Sequence, residues 1–129
     1  MSLSIEQWVL DDHVRIACAG VYSVTGFRDA FSQAFAIAAA ARRDAVLVDM
    51  RAVTGGPPTM SERYELAVAA AEMQASRKPR IRMAVLGHEP MVHPERFGEI
   101  VAANRGADGR VFTDEAVALE WLLAKAPGA

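Results

Sequence analysis

The sequence contains few residues of the kinds that form disulfides and thiolate metal sites. Cys18 is the only cysteine among the 129 residues, so an internal disulfide and a metal site built from several thiolates are both excluded. It lies in the apolar stretch RIACAG, where a free thiol usually packs as a small hydrophobic side chain and is a poor nucleophile. We therefore predict a structural role for Cys18 in a buried strand.

An excess of positive charge is also missing. The chain has 14 Lys and Arg residues against 16 Asp and Glu residues, a formal net charge of -2, and this balance offers no overall attraction for nucleic acid. The most basic stretch is RKPRIR, residues 77–82. It has no interleaved aromatic side chain on which a single-stranded base would stack. No nucleic-acid partner is therefore predicted.

Long apolar runs and a basic leader are likewise missing. Charged residues interrupt every apolar run before it reaches the length of a membrane span, and the first residues lack the positive region of a signal peptide. We therefore expect no membrane span and a cytoplasmic location. The chain shows no repeat and no linker, and its length is typical of one domain, which we place over residues 1–129.

Hydrophobic periodicity predicts an alternation of strands and helices. SIEQWVL (4–10) and HVRIACA (13–19) alternate like strands on either side of an Asp11-Asp12 turn. A three- and four-residue period then predicts a helix over 24–43, capped by Ser23 or Thr25. AVLVDM (45–50) is a continuous apolar run, typical of a strand that is buried on both faces. This strand is the expected centre of the sheet.

The second half of the chain continues the alternation. SERYELAVAAAEMQAS (61–76) predicts a helix with Tyr64 on its buried face, and a strand follows over 81–87. HPERFGEIVAANRG (93–106) predicts a short helix with Pro94 at its first position. A strand over 110–112 and a final helix, capped by Thr113 or Asp114, complete the chain.

The aromatic residues are mostly assigned to the core. Trp8, Trp121, Phe27, Phe31, Phe35 and Phe97 are predicted to be core residues. Phe35 lies off the main apolar stripe of its helix, so an exposed contact or a pocket wall is the alternative for it.

The predicted order is β-β-α-β-α-β-α-β-α, which indicates an α/β fold. It corresponds to a mostly parallel five-stranded sheet with an N-terminal antiparallel hairpin, flanked by four helices.

The order of elements, the centre strand VLVDMRAV with its loop and helix start, and the ending GRVFTDEAVALEWL together resemble the STAS-like family. That family includes bacterial anti-sigma-factor antagonists and is related in fold to CRAL-TRIO lipid-transfer domains. The resemblance implies a regulatory protein in which a Ser or Thr before the second helix is phosphorylated by a partner kinase. Thr59 or Ser61 occupies that place here, but the family's Asp-Ser-Ser-Gly motif is absent.

The loop VTGGPPTMSER, residues 53–63, is the main candidate site, together with Asp49 near the predicted end of the centre strand. The candidate binding or regulatory residues are Asp49, Thr54, Gly55, Gly56, Thr59 and Ser61. Glycines before a helix N-terminus suit an anion, but neither the Walker nor the dinucleotide spacing is present. Thr59 and Glu62 match a capping box. A structural turn and a regulatory loop remain the two interpretations.

Three functions follow, in order of preference. The first is a non-enzymatic regulatory or adaptor domain that presents the 53–63 loop and the following helix to a protein partner, such as a kinase-like anti-sigma factor. The second is a carrier of a small apolar ligand or lipid, entered near Asp49 and the GGPP loop. The third is an enzyme using His88, His93 and a carboxylate. The chain lacks the G-x-S-x-G pattern of a nucleophile elbow, and no cofactor or metal is predicted. A homodimer is one alternative for the assembly.

Overall fold

The computed structural model describes residues 3–76, 80–93, 95–96, 100, 103 and 108–124. The strands are β1 (Ser4–Val9), β2 (Val14–Val21), β3 (Ala45–Thr54), β4 (Arg82–Leu86) and β5 (Gly109–Phe112), and the helices are α1 (Val24–Ala41), α2 (Met60–Ala75) and α3 (Glu115–Leu123).

The strands form one sheet in the order β1-β2-β3-β4-β5. β1 pairs with β2 in antiparallel fashion, and the pairs β2–β3, β3–β4 and β4–β5 are all parallel. These observations confirm the α/β class, the five strands and the N-terminal hairpin.

The number of helices differs from the prediction. The structure describes three helices instead of four, so the order over the described residues is β-β-α-β-α-β-β-α. The predicted helix over 93–106 lies largely outside the described residues; among those of its residues that are described, Ile100 and Ala103 are helical.

Helices cover the sheet on both faces. Val46 and Val48 of β3 belong to a core that includes Phe31 of α1 and Leu66 of α2, whereas Leu47 packs in a second core with Leu122 of α3. The side chains of Val46, Leu47 and Val48 are completely buried. Because successive strand residues point to opposite faces, this arrangement confirms that the continuous apolar run is a strand covered on both sides.

The structure shows which of the predicted residues cap α1 and α3. Ser23, not Thr25, caps α1, because its Oγ accepts a hydrogen bond from the Gly26 N–H at 2.9 Å. Asp114, not Thr113, caps α3 by accepting from the Val117 N–H at 3.0 Å. In both cases the side-chain oxygen satisfies an amide that has no partner inside the helix.

Two of the predicted core aromatics lie at the surface. Trp8 is exposed on β1 at the edge of the sheet, and Tyr64 is exposed on α2. Trp121 is half-buried, with the Arg82 guanidinium 4.6 Å above its ring. Phe35 is fully buried and lines a cavity, so the prediction of a pocket wall is confirmed for it and that of an exposed contact is wrong.

Gln74 connects the end of α2 to the starts of two strands. Its side chain is buried. Its Nε2 donates to the carbonyls of Ile81 and Asp108, and its Oε1 accepts from the Asp108 N–H. One side-chain amide therefore satisfies three backbone groups beside β4 and β5. Without it, these three groups would lack a hydrogen-bond partner.

We expect Gln74→Leu to lower the free energy of unfolding by about 2–4 kcal/mol, because it leaves these backbone groups unsatisfied in a dry site. Urea denaturation measures the change. Glu72→Gln, at an exposed position of the same helix, is the control and should change stability by less than about 0.5 kcal/mol. Equal stability of the two variants would show that water replaces the amide.

Candidate functional site

The candidate loop begins with a tight connection to the end of β2. Thr54 is the last residue of β3, and its Oγ1 donates to the Gly20 carbonyl at 3.2 Å. In return, the Thr54 carbonyl accepts from the Tyr22 N–H at 2.8 Å. Thr54, the second residue of the loop, is therefore held by both its side chain and its backbone.

The two loop glycines are not equivalent. Gly55 has φ of 93°, and a Cβ on it would lie 3.2 Å from Cγ1 of Val21. The backbone there favours glycine because L side chains rarely adopt this conformation. A Cβ on Gly56 would meet nothing within 4 Å. The turn therefore depends on the first glycine of the pair.

The predicted capping box at the start of α2 is confirmed. Thr59 Oγ1 accepts from the Glu62 N–H at 3.1 Å, and Glu62 Oε1 accepts from the Thr59 N–H at 3.0 Å. The same Glu62 oxygen accepts from the Tyr22 hydroxyl at 3.2 Å. Partial burial, together with the charge of Glu62, raises the pKa of Tyr22, so the phenol stays protonated as a donor. The cap is thereby tied to the end of β2.

The side chains that surround this cap are exposed and partly apolar. Met60 and Tyr64 are 49% and 46% exposed, and Val21, beside Gly55, is 43% exposed. Met60 and Tyr64 are four residues apart and therefore lie on one face of the helix. With the exposed Thr59 and Ser61, these side chains form what we call the α2 entry surface.

Sequence periodicity missed the apolar part of this surface. It assigned Tyr64, with Ala67, Val68 and Ala71, to the buried face of the helix; the structure buries Ala67 and Ala71 together with Leu66, but leaves Tyr64 exposed. The capping box was the available signal, because it places Met60 at the first helical position, where side chains project beyond the core.

Arg63 joins the start of α2 to the loop after β4. Its Nη1 donates to the Met91 carbonyl at 2.9 Å, and its Nη2 donates to the Pro90 carbonyl at 2.7 Å. This loop carries the candidate histidines, of which His93 accepts at Nδ1 from the Glu95 N–H at 3.0 Å. Within the described ranges, no three His, Cys, Asp or Glu side chains lie close enough together to hold a metal ion.

Asp49 lies away from the loop. The sequence placed it near the end of its strand, but β3 continues to Thr54, so Asp49 is in mid-strand. It accepts from Arg15 Nη2 at 2.7 Å and from the Arg51 side chain at 2.8 and 3.0 Å. Both arginines also contact Glu115 at the start of α3, at 3.3 and 2.6 Å. These residues, Arg15, Asp49, Arg51 and Glu115, form an ion-pair network on the α3 face of the sheet.

The network determines the protonation state of Asp49. Burial alone would raise the pKa of this carboxyl, but hydrogen bonds from Arg51 and the positive charges of Arg51 and Arg15 lower it below its ordinary value. Asp49 is therefore ionised and engaged by cations of its own chain, which gives it a structural role between β2, β3 and α3.

A cavity of about 130 Å³ lies on the opposite face, between α1, α2 and the sheet. The side chains that line it are mostly aromatic and aliphatic, and they include Phe27, Phe31, Phe35, Met50, Leu66 and Met83. Pro58 of the candidate loop also lines it. Asp49 points to the other face of β3 and does not line the cavity, whereas Pro58 of the GGPP loop does; the entrance itself stays a prediction.

No protein-family model and no curated protein matches the chain. Among solved structures, an anti-sigma factor antagonist from Mycobacterium paratuberculosis is 15% identical with a TM-score of 0.60. An uncharacterized protein of the DUF3478 family with a SpoIIAA-like fold, from Shewanella loihica, is 14% identical with a TM-score of 0.51. Each match covers 94% of this chain and 94% of the other. The chain therefore has a STAS-like fold, as its resemblance to that family implied.

We expect Asp49→Asn to lower the free energy of unfolding at neutral pH by about 1–2 kcal/mol, because charge-assisted hydrogen bonds become neutral ones. The folded pKa lies below the unfolded value of about 3.9. The contribution of Asp49 is therefore complete above that value and is lost as the pH falls through the folded pKa.

Urea denaturation at neutral and acidic pH measures the difference between wild type and Asp49→Asn, which should close in acid. Asp29→Asn, at an exposed position of α1, is the control and should match wild type at neutral pH. A difference that is the same at every pH would contradict the ion-pair explanation.

Proposed function

We propose that the protein is a non-enzymatic regulatory or adaptor domain that binds a protein partner through the α2 entry surface. The observation that carries the proposal is the exposure of Val21, Met60 and Tyr64 around a helix start that is held rigidly. Exposed apolar side chains with polar neighbours are typical of interaction sites, and aromatic anchors supply much of the binding energy of interfaces.

The rigidity of the surface supports this function. Thr54 is hydrogen-bonded to Gly20 and Tyr22, and Glu62 is shared between the cap and the Tyr22 hydroxyl. A surface that is ordered before binding loses less conformational entropy when the partner arrives. Backbone and side-chain bonds of β2 thus hold the loop ready for association.

The fold suggests the class of partner. One similar structure is an anti-sigma factor antagonist, so we propose a kinase-like anti-sigma factor as the partner and the cytoplasm as the location. Among the helices that the structure describes, none is both long and apolar enough to cross a membrane.

Thr59 and Ser61 would respond differently to a phosphoryl group. A phosphate at a helix N-terminus is favoured by the free amides and the helix dipole. On Thr59, however, it would face the Glu62 carboxylate, which is bound to the Thr59 N–H at 3.0 Å. Ser61 takes no part in the capping box, so it is the better acceptor if the cap is to survive modification. We propose Ser61 as the regulatory hydroxyl.

We expect the double variant Met60→Asp, Tyr64→Asp to weaken binding to the kinase-like anti-sigma factor at least about tenfold, because it places charges at the centre of the apolar contact. Isothermal titration calorimetry with each such factor encoded in the source genome measures the Kd.

Val117→Asp is the matched control, because Val117 is a 52% exposed hydrophobic residue on α3, behind the sheet. Its Kd should equal that of wild type. Equal affinity of the double variant, or equal losses in both variants, would contradict a contact at the α2 entry surface.

The cavity supports a second candidate, a carrier of a small apolar molecule. Its volume of about 130 Å³ is close to that of engineered cavities of about 150 Å³ that bind benzene. Sites for larger ligands are usually about 300–1,000 Å³. The cavity size therefore favours a compact aromatic or aliphatic molecule over a lipid chain.

We expect Ala70→Leu to fill the cavity and abolish binding, because Ala70 lines it. Ala75→Leu adds the same volume at an exposed position of α2 and is the control. Benzene at five times its Kd should add about 1 kcal/mol of stability to wild type and Ala75→Leu, measured by thermal unfolding, and nothing to Ala70→Leu. A retained molecule in native mass spectra of the protein from its host would support the carrier, whereas equal benzene responses in all three proteins would contradict it.

A further inference from the structure

β1 is an edge strand of the sheet that the structure describes. It pairs with β2 on one side and is the first strand in the sheet order. Edge strands are commonly protected by charged side chains, especially lysine, by proline or by a bulge; Ser4–Val9 contains no lysine and no proline, its one charged residue is Glu6, and its pairing with β2 shows no register shift. Trp8, Val9 and Leu10 are 43%, 50% and 41% exposed. This edge therefore combines an open backbone with consecutive apolar side chains.

The hairpin geometry shows which backbone groups of β1 point outward. The Leu10 N–H donates to the His13 carbonyl at 2.8 Å, so Leu10 and His13 are a hydrogen-bonded pair. In an antiparallel ladder such pairs alternate with pairs that exchange no hydrogen bonds. Given the pairing of Val9 with Val14 and of Trp8 with Arg15, the even-numbered residues of β1 face β2. The N–H and C=O groups of Ile5, Gln7 and Val9 therefore face away from the sheet.

We propose that two copies of the protein pair through this edge, antiparallel and with Gln7 on the two-fold axis. In that register Gln7 faces Gln7 of the second copy, and Ile5 faces Val9. Every outward-facing residue of the strand then exchanges hydrogen bonds with the second copy. The two sheets become one, and no segment of either chain has to refold.

The side chains of β1 are self-complementary in this register. Ile5 packs against Val9 on the face that carries α1, and paired Gln7 amides each offer a donor and an acceptor. On the other face, Glu6 lies opposite Trp8. Centring the axis on Glu6 would place two carboxylates directly opposite, which destabilises a strand pair, and centring it on Trp8 would leave Ile5 without a partner inside the strand. The edge formed by β1 is therefore best matched by the same edge of a second copy of the protein.

Cysteine cross-linking tests the register. In a Cys18→Ala background, Gln7→Cys would place two sulfurs across the axis, where a Cα separation of about 5.5 Å suits a disulfide. We expect a covalent dimer under mild oxidation, read from intact mass and non-reducing electrophoresis. Glu6→Cys and Trp8→Cys are the controls and should remain mostly monomeric. Cross-linking at either control position and not at Gln7 would overturn the proposed register.

Gln7→Pro tests the interface without the thiols. The Gln7 N–H faces away from β2, so proline in both copies removes only the two hydrogen bonds exchanged at the axis and is tolerated at an edge. Sedimentation velocity of the full chain at tens of micromolar should show a dimer for wild type, at least about tenfold weaker association for Gln7→Pro, and circular dichroism unchanged between them. A monomeric wild-type chain under these conditions, or a Gln7→Pro variant that associates as well as wild type, would overturn the proposal.

Discussion

The structure depends on the burial of β3 on both of its faces. Val46 and Val48 pack under α1 and α2, and Leu47 packs under α3. An apolar run such as residues 45–48 is stable in a strand only when both faces of that strand are covered, here by helices. This requirement places α1 and α2 on one side and α3 on the other, and it leaves the loop after β3 to emerge at the edge of both layers. The α2 entry surface forms where the chain leaves the sheet after β3 and enters α2.

Within β3, polarity changes at Asp49. The residues before it are buried, whereas Arg51 is exposed. The register of β3 against β2 shifts in the same region, between Ala17 and Ala19, and the Arg51 N–H donates to Asp49 at 3.0 Å. The ion-pair network closes the end of the α3 layer, where that short helix no longer covers the sheet. The buried part of β3 is therefore apolar, and charged groups follow it on the α3 face of the sheet.

Sequence patterns were most informative where a single local rule acts. The apolar run at 45–50 requires burial on both faces, and Thr59 with Glu62 satisfies the amides of the helix start, so both features could be predicted from neighbouring residues. Tyr64 and Trp8 could not, because their exposure depends on which tertiary partners are present. Tyr64 has helical spacing to Ala67, which is buried as predicted, yet Tyr64 itself is 46% exposed. Trp8 alternates correctly in β1, yet its face of that edge strand is not covered.

Asp49 shows a further limit of sequence reasoning. An acidic residue after an apolar run is typical of a strand end. In open α/β sheets, ligands bind at the carboxyl ends of strands. Its partners Arg15 and Glu115 are distant in the sequence, and only the assembled sheet shows that the carboxylate is already neutralised. The residues that form the α2 entry surface are, by contrast, local in sequence except for Val21, and Tyr22, which holds Glu62, comes from the same strand end. Long-range pairing of β2 with β3 brings those two to the loop.

The two proposed interfaces are compatible because β2 separates them. One side of β2 pairs with β1, and its carboxyl end holds Thr54 and Glu62 through Tyr22. A two-fold axis through Gln7 makes the parallel strands of one copy run opposite to those of the other. The carboxyl ends of the two β3 strands, and with them the two α2 entry surfaces, would then point in opposite directions. Such a dimer would engage two separate partners, one at each end of the joined sheet, and would gain no avidity for a single one, since avidity requires both sites to reach the same molecule.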